Sequence, residues 1–103
     1  MGARKAGTIV LGHYPEYLLE AKRRNARCFD MHMDEWDKMT EAERWEANRQ
    51  FLDEAIANGD EIVLATGLHL LKPGSYFEKE LEYFASKGYQ LAADQSRLVK
   101  GNP

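Results

Sequence analysis

Polar side chains gather around one loop near the middle of the chain, and their types suit chemistry at a phosphodiester. They are Thr66, His69, Lys72, Ser75 and Tyr76. Ser75 is expected to begin a helix, whose free N–H groups and positive end attract an anion, and the Lys72 ammonium group could neutralise a phosphate. We therefore predict that Lys72 and Ser75 bind the substrate phosphate. Tyr76 and Thr66 are predicted to assist catalysis, and His69 is a further candidate.

The same residues also have a purely structural interpretation, which stays open at this point. Ser75 would only cap the helix, the Tyr76 hydroxyl would point to solvent and the Lys72 side chain would be solvated. The loop is longer than simple chain closure requires, which favours a functional role.

His13 is the candidate general acid or base. It lies in the turn Gly12-His13-Tyr14, between an apolar segment and the start of a helix. Imidazole titrates close to neutral pH, which suits phosphodiester or acyl chemistry. The alternative is a turn histidine that hydrogen-bonds the backbone. The predicted catalytic set is thus His13, Lys72, Tyr76 and Thr66.

Asp30 is a further candidate, either as a ribose-binding acid or as a metal ligand. Its spacing from Gly12 is typical of the ribose-binding acid of a dinucleotide site, but the remaining glycines of that motif are absent. Asp30, His32 and Asp34 alternate and could face a divalent cation, yet no further ligand is evident and Asp34 is explained as a helix cap. We therefore predict neither a metal nor a cofactor.

The elements that position these residues alternate between strands and helices. The apolar run at 62–66 predicts a strand buried on both faces, and segments 8–11 and 27–30 predict two further short strands. Helices are predicted from Pro15 to Asn25, from the capping box at Thr40 to Gly59, and from Ser75 to Gly88. Two final strands, at 89–92 and 97–99, predict a C-terminal β-hairpin.

This order predicts a small α/β domain. We expect a mainly parallel sheet with helices on both faces and the strand at 62–66 inside the sheet. An α+β arrangement is the alternative. Right-handed crossovers would bring segments 12–14, 30–32 and 66–72 to one rim of the sheet.

Length and composition agree with one soluble domain. The chain has 103 residues, of which we interpret 1–7 as a lead-in and 8–103 as the domain. No segment has the ~20 apolar residues that a membrane helix needs, so we expect no membrane contact. We also expect the isolated domain to be a monomer. Cys28 is the only cysteine, which excludes an internal disulfide and indicates a buried, inert thiol.

Four stretches of the sequence together resemble a known class of proteins. They are GTIVLGHYPEY near the start, the tryptophan-rich segment at 36–60, KPGSYFEKEL at 72–81, and KGYQL with SRLVKG near the end. This combination resembles the C-terminal toxin module of bacterial polymorphic toxins, which include contact-dependent growth inhibition, haemagglutinin-repeat and Rhs proteins. The resemblance covers nearly the whole chain from Thr8.

The resemblance implies an antibacterial effector that is secreted or displayed on the cell surface as part of a larger protein. Such an effector acts in the cytoplasm of a neighbouring bacterium and is neutralised by a cognate immunity protein. With the candidate residues, it favours a metal-independent ribonuclease acting on RNA, tRNA included. The alternatives are a nucleotide- or NAD-hydrolysing toxin and a non-catalytic protein-binding module.

The uneven charge of the chain suggests where an immunity protein would dock. The net charge is −3, but residues 1–27 carry +4 and residues 30–61 carry −8. An acidic partner is expected to contact Lys72 and the basic helix end Lys22-Arg23-Arg24. The alternative is a basic partner on the acidic segment 34–54.

Overall fold

Four strands form one sheet in the described part of this computed structural model, which comprises residues 7–30 and 33–101. They are β1 (Thr8–Leu11), β2 (Glu61–Leu64), β3 (Tyr89–Leu91) and β4 (Arg97–Lys100). Their order across the sheet is β1-β2-β4-β3. β1 and β2 are parallel, whereas β4 is antiparallel to both β2 and β3. The sheet is therefore mixed rather than mainly parallel, and the predicted C-terminal hairpin is confirmed.

Helices cover both faces of this sheet, as predicted. They are α1 (Glu16–Arg24), the short α2 (Met33–Asp37), α3 (Glu41–Asn58) and α4 (Tyr76–Ser86), with a 3-10 turn at Leu68–Leu70. Ala21 of α1 packs against Val10 and Val63 on one face. On the other face, α3 and α4 pack against Ile9 and Ile62. No helix in this part of the chain is long and apolar enough to cross a membrane.

The continuous apolar run of β2 explains its interior position. Ile62 and Val63 are buried on opposite faces of the sheet, and β2 lies between β1 and β4. Burying each such side chain contributes about 1.5–3 kcal/mol, so a strand of this composition is most stable where both faces are covered. The prediction of a central strand in this segment is confirmed, with the strand ending at Leu64.

The predicted strand at 27–30 is reduced to a single contact. Arg27 forms an isolated parallel bridge with Ile9, and the chain then leaves the sheet. Phe29 turns toward aromatic neighbours instead, contacting Trp36 and Phe51 at ring-centroid distances of 6.1 Å. Aromatic packing against helices thus outweighs strand pairing in this segment.

The sequence signals for helix boundaries are confirmed. Thr40 and Glu43 form the reciprocal capping box at the start of α3, and α3 ends at Gly59 in the left-handed conformation. Asn25 ends α1 in that same conformation. Ser75 caps α4 by accepting from the N–H of Glu78.

Candidate functional site

β1 lies where the chain reverses its direction of travel across the sheet. After α1 the chain returns beside β1 at Arg27, and after α3 it returns on the opposite side of β1 as β2. Proteins with helix-covered parallel strands bind ligands beyond the carboxyl ends of the strands at such a reversal. A cleft of about 610 Å³ opens at this place, beside residues 10–14.

Aromatic side chains form much of the wall of this cleft. They are Tyr14, Tyr17, Phe29, Trp36, Tyr76 and Phe77. Trp36 is held in place by Arg44, whose guanidinium lies 4.9 Å from its ring and donates to its carbonyl oxygen at 2.9 Å. A flat ring bound in the cleft could stack on these aromatic side chains or pack against their edges.

Two buried polar side chains also line the cleft: Asn48 of α3 and Glu80 of α4. Asn48 is 2% exposed and Glu80 is 7% exposed. The Asn48 side-chain Nδ2 donates to Glu80 Oε2 at 2.9 Å. Asn48 Oδ1 is buried without a hydrogen-bond partner among the described residues. We call these two residues the Asn48–Glu80 pair.

Burial changes the acidity of the groups in this region. It raises the pKa of Glu80 from 4.5 to about 7, against a smaller opposing effect of the hydrogen bond from Asn48. Burial also raises the pKa of Tyr17 to about 12, with further contributions from Cys28, Glu80 and Asp30. Near neutral pH Glu80 can thus both give and take a proton, which is what a general acid–base group needs.

His13 lines the cleft, and its environment is well defined. Its ring packs edge-on against Phe77, at a centroid distance of 5.2 Å. Its Nε2 accepts a hydrogen bond from the backbone N–H of Lys72 at 3.1 Å. The neutral imidazole therefore carries its proton on Nδ1. This is the backbone-bonded arrangement of the structural alternative, although the ring still borders the cleft.

Thr66 is buried and joins the two loops that follow β1 and β2. Its Oγ1 accepts from the backbone N–H of His13 at 2.9 Å and donates to Glu16 Oε2 at 2.7 Å. Gly12 permits this approach, because a Cβ at that position would lie 2.8 Å from Thr66 Oγ1. Thr66 is absent from the cleft wall, so its contacts give it a positioning role.

Groups of the protein itself already bond part of the predicted phosphate site at the start of α4. Ser75 Oγ donates to the carbonyl of Lys72 at 2.6 Å and accepts from the N–H of Glu78 at 3.3 Å. The Glu78 carboxylate accepts from the N–H of Gly74 at 2.8 Å. A phosphate at this helix end would have to compete with that carboxylate.

The remaining candidates divide between the cleft and the outer surface. Tyr76 and Asp30 line the cleft, and the Tyr76 hydroxyl donates to Glu41 Oε2 at 3.3 Å. His69 and Lys72 are exposed and do not line it. His13, Tyr76 and Asp30 are therefore brought together, while the other four candidates lie outside the cleft wall.

Sequence reasoning missed the Asn48–Glu80 pair, although a signal for it exists. Glu80 falls between Phe77 and Phe84 on the buried stripe of α4, where the helical period calls for an apolar residue. Asn48 occupies the equivalent place on α3, where Leu52 is buried one turn further on. Polar residues at such positions need partners, and here the two side chains find each other.

His32, from the alternating acid–histidine pattern, lies outside the described residues. Among the residues that are described, no group of three or more His, Cys, Asp or Glu side chains could hold a metal ion. Comparison with protein-family models, with curated proteins and with solved structures found no match to this chain.

Proposed function

We propose that the cleft is the active site of a hydrolase that cleaves the N-glycosidic bond of a small nucleoside-type substrate, such as a nucleoside, a nucleotide or NAD. The observation that carries this proposal is the Glu80 carboxyl, buried in an aromatic cleft with its pKa raised to about 7. A strongly perturbed carboxyl in a cleft is typical of a catalytic acid or base.

The size and lining of the cleft favour a base-bearing substrate. Its volume of about 610 Å³ lies in the range of small-molecule sites, and its aromatic walls suit stacking against a flat ring. Among the described residues, no lysine or arginine lines it, whereas Asp30 and Glu80 do. These carboxyls favour a neutral or cationic ring over a phosphate inside the cleft.

In the proposed reaction, Glu80 moves one proton. For a neutral base, the protonated carboxyl donates its proton to the departing base as the bond from the anomeric carbon to nitrogen breaks. Water then adds to the anomeric carbon, and the proton it loses returns to Glu80. For a cationic ring, which departs without a proton, protonated Glu80 only hydrogen-bonds the ring, and the proton that water loses passes to solvent. The carboxylate of Asp30 would stabilise positive charge on the sugar, since such transition states resemble oxocarbenium ions.

We further propose that this activity belongs to an antibacterial effector, on the resemblance to polymorphic toxin modules. The expected carrier is a larger exported protein, and the expected partner is a cognate immunity protein. Arg23 and Arg24 of the basic helix end both pair with Glu20, whereas Lys22 and Lys72 are exposed. An acidic partner could contact these two exposed lysines, and Lys22→Glu should slow its association.

A metal-independent ribonuclease is the second candidate, and a hydrogen-bonded chain favours it. Glu16, Thr66, His13 and the Lys72 backbone are linked in series, and Ser75 bonds to the Lys72 carbonyl. Such a chain would hold an imidazole in a fixed orientation beside an exposed lysine.

Inducible expression in a bacterial host separates these functions. We expect growth arrest with loss of NAD or of nucleosides, measured by mass spectrometry of the metabolite pool, and intact RNA on gels. Glu80→Gln should lower the cleavage rate at least about 100-fold, as expected for removal of a general acid–base group. Glu82→Gln, an exposed position on α4, is the matched control.

The other outcomes are equally specific. Intact metabolite pools with degraded tRNA, abolished by His13→Ala, would replace the proposal with the ribonuclease. Growth arrest with both RNA and metabolites intact, unaffected by Glu80→Gln, would favour the non-catalytic binding module.

A further inference from the structure

The Asn48–Glu80 pair has hydrogen-bonding capacity that the protein itself does not use. Asn48 donates to Glu80 through its side-chain N–H. Its Oδ1 accepts no hydrogen bond among the described residues, although Asn48 is only 2% exposed. A buried acceptor without a partner is unfavourable, and native structures keep few such atoms, among them those that a functional site requires.

The two side chains present a definite pattern to that molecule. Asn48 Oδ1 is an acceptor, and the neighbouring Glu80 carboxyl offers an O–H donor when it is protonated. The complement is a donor beside an acceptor on one edge of the ligand. Carboxamides and the edges of nucleobases have this arrangement, whereas sugars and phosphates do not combine it with a flat ring that aromatic walls can stack.

We propose that the ligand of this cleft is a heteroaromatic ring that carries an N–H donor next to an acceptor, and that this edge binds the Asn48–Glu80 pair. The N–H donates to Asn48 Oδ1, and the acceptor takes the hydrogen bond from Glu80. This inference rests on the proposed function for a base-bearing substrate. It adds which side of the ring is recognised and which residue selects it.

Burial of the Asn48–Glu80 pair should make the site discriminate strongly between ligands with and without the N–H donor. Asn48 and Glu80 are both more than nine-tenths buried, so water cannot replace a missing ligand donor freely. A site that is built to hydrogen-bond one group rejects the analogue that lacks it far more strongly than an apolar pocket rejects a change in shape. We expect a loss of about tenfold or more in affinity when only the N–H is removed.

The test is binding of free rings to the purified wild-type protein, measured by titration in nitrogen-15 NMR spectra. Nicotinamide is compared with 3-acetylpyridine, and 9-methyladenine with 9-methylpurine, because the second compound of each pair lacks the N–H donor. We expect the first of each pair to bind about tenfold more tightly or better. We also expect the Asn48 side-chain amide signals to shift on binding.

Asn48→Leu tests the assigned residue, since it removes the acceptor and keeps the same branched shape. The preference for nicotinamide over 3-acetylpyridine should then fall to about one. Asn58→Leu, at the far end of the same helix, is the matched control and should keep the preference. Should Asn48→Leu not fold, the wild-type preference and the Asn48 amide signals decide the question.

Equal affinity within each pair, or no binding of any of the four compounds, would overturn the inference. The proposed function fails by a different result, namely no cleavage of any N-glycoside. Donor-selective binding without cleavage would therefore reject the hydrolase alone, and cleavage without donor selectivity would reject only this inference.

Discussion

Glu80→Gln should stabilise the protein, and the gain should depend on pH. In the folded protein, burial raises the pKa of Glu80 from 4.5 to about 7. The folded state therefore holds this proton more tightly than the unfolded chain. The contribution of Glu80 to stability is complete below about pH 4.5 and is lost as the pH rises through about 7. Glutamine stays neutral at every pH, so the variant does not lose this stability as the pH rises.

The magnitude follows from the change in pKa. A rise from 4.5 to about 7 corresponds to about 3 kcal/mol, at roughly 1.4 kcal/mol for each unit of pKa. Glu80 is 7% exposed, so screening by solvent reduces this value little. In a domain of this length, about 3 kcal/mol corresponds to a difference of more than about 10 °C in melting temperature.

Urea denaturation between about pH 4 and pH 8 measures this effect directly. The free energies of unfolding of wild type and Glu80→Gln should be similar near pH 4 and differ by about 3 kcal/mol near pH 8, with the variant more stable. Tyr17 interacts electrostatically with this carboxyl. It is present in both proteins, so the difference isolates Glu80.

Glu82→Gln is the control for this experiment, because Glu82 is exposed on the same helix. Its curve should run parallel to that of the wild type. Parallel curves for Glu80→Gln as well would mean that Glu80 is solvated in solution, and the acid–base role would lose its physical basis.

Three further substitutions test the contacts around the cleft by urea denaturation. Thr66→Val should cost about 1–3 kcal/mol, because it leaves the His13 N–H without its acceptor. Gly12→Ala should cost about 1–3 kcal/mol, since the new Cβ would lie 2.8 Å from Thr66 Oγ1. Asp60→Asn should cost roughly 1–3 kcal/mol, because the buried carboxylate accepts from Arg27 and from the backbone. Costs below about 0.5 kcal/mol would show that these contacts do not form.

Two positions near β1 offer controls for this set. Thr8→Val removes only an exposed hydrogen bond of 3.4 Å to Glu61, and Gly7→Ala places a Cβ no closer than 3.8 Å to Asp60. Both should change the free energy of unfolding by less than about 0.5 kcal/mol.

The elements with strong local signals could be predicted from the sequence. The capping box at Thr40, the glycine at 59 and the unbroken apolar run before Thr66 are local features, and each defined its element correctly. For segment 27–30 the sequence predicted a strand, and only one bridge of it forms. Whether a short apolar segment joins a sheet depends on what packs beside it, and Phe29 contacts Trp36 and Phe51 instead.

The candidate site was harder to predict than the fold, because it depends on three elements that are distant in sequence. The sequence predicted that segments 12–14 and 30–32 meet at one rim of the sheet, and His13 and Asp30 both line the cleft. The Asn48–Glu80 pair joins residues that are 32 positions apart on two helices. Only the packing of α3 against α4 brings the two side chains together, and no local sequence pattern predicts that contact.

The Asn48–Glu80 pair is also the place where this small domain departs from its most stable sequence. An apolar pair of similar volume would remove both the cost of burying Glu80 and the unpaired acceptor of Asn48. The fold does not need either polar group, because Phe77, Phe84 and Leu52 already fill the adjacent core. A destabilising group that the fold does not require is best explained by a role in binding or catalysis. Substitution of the pair should therefore raise stability and abolish activity together, and a variant that gained stability while keeping full activity would refute this explanation.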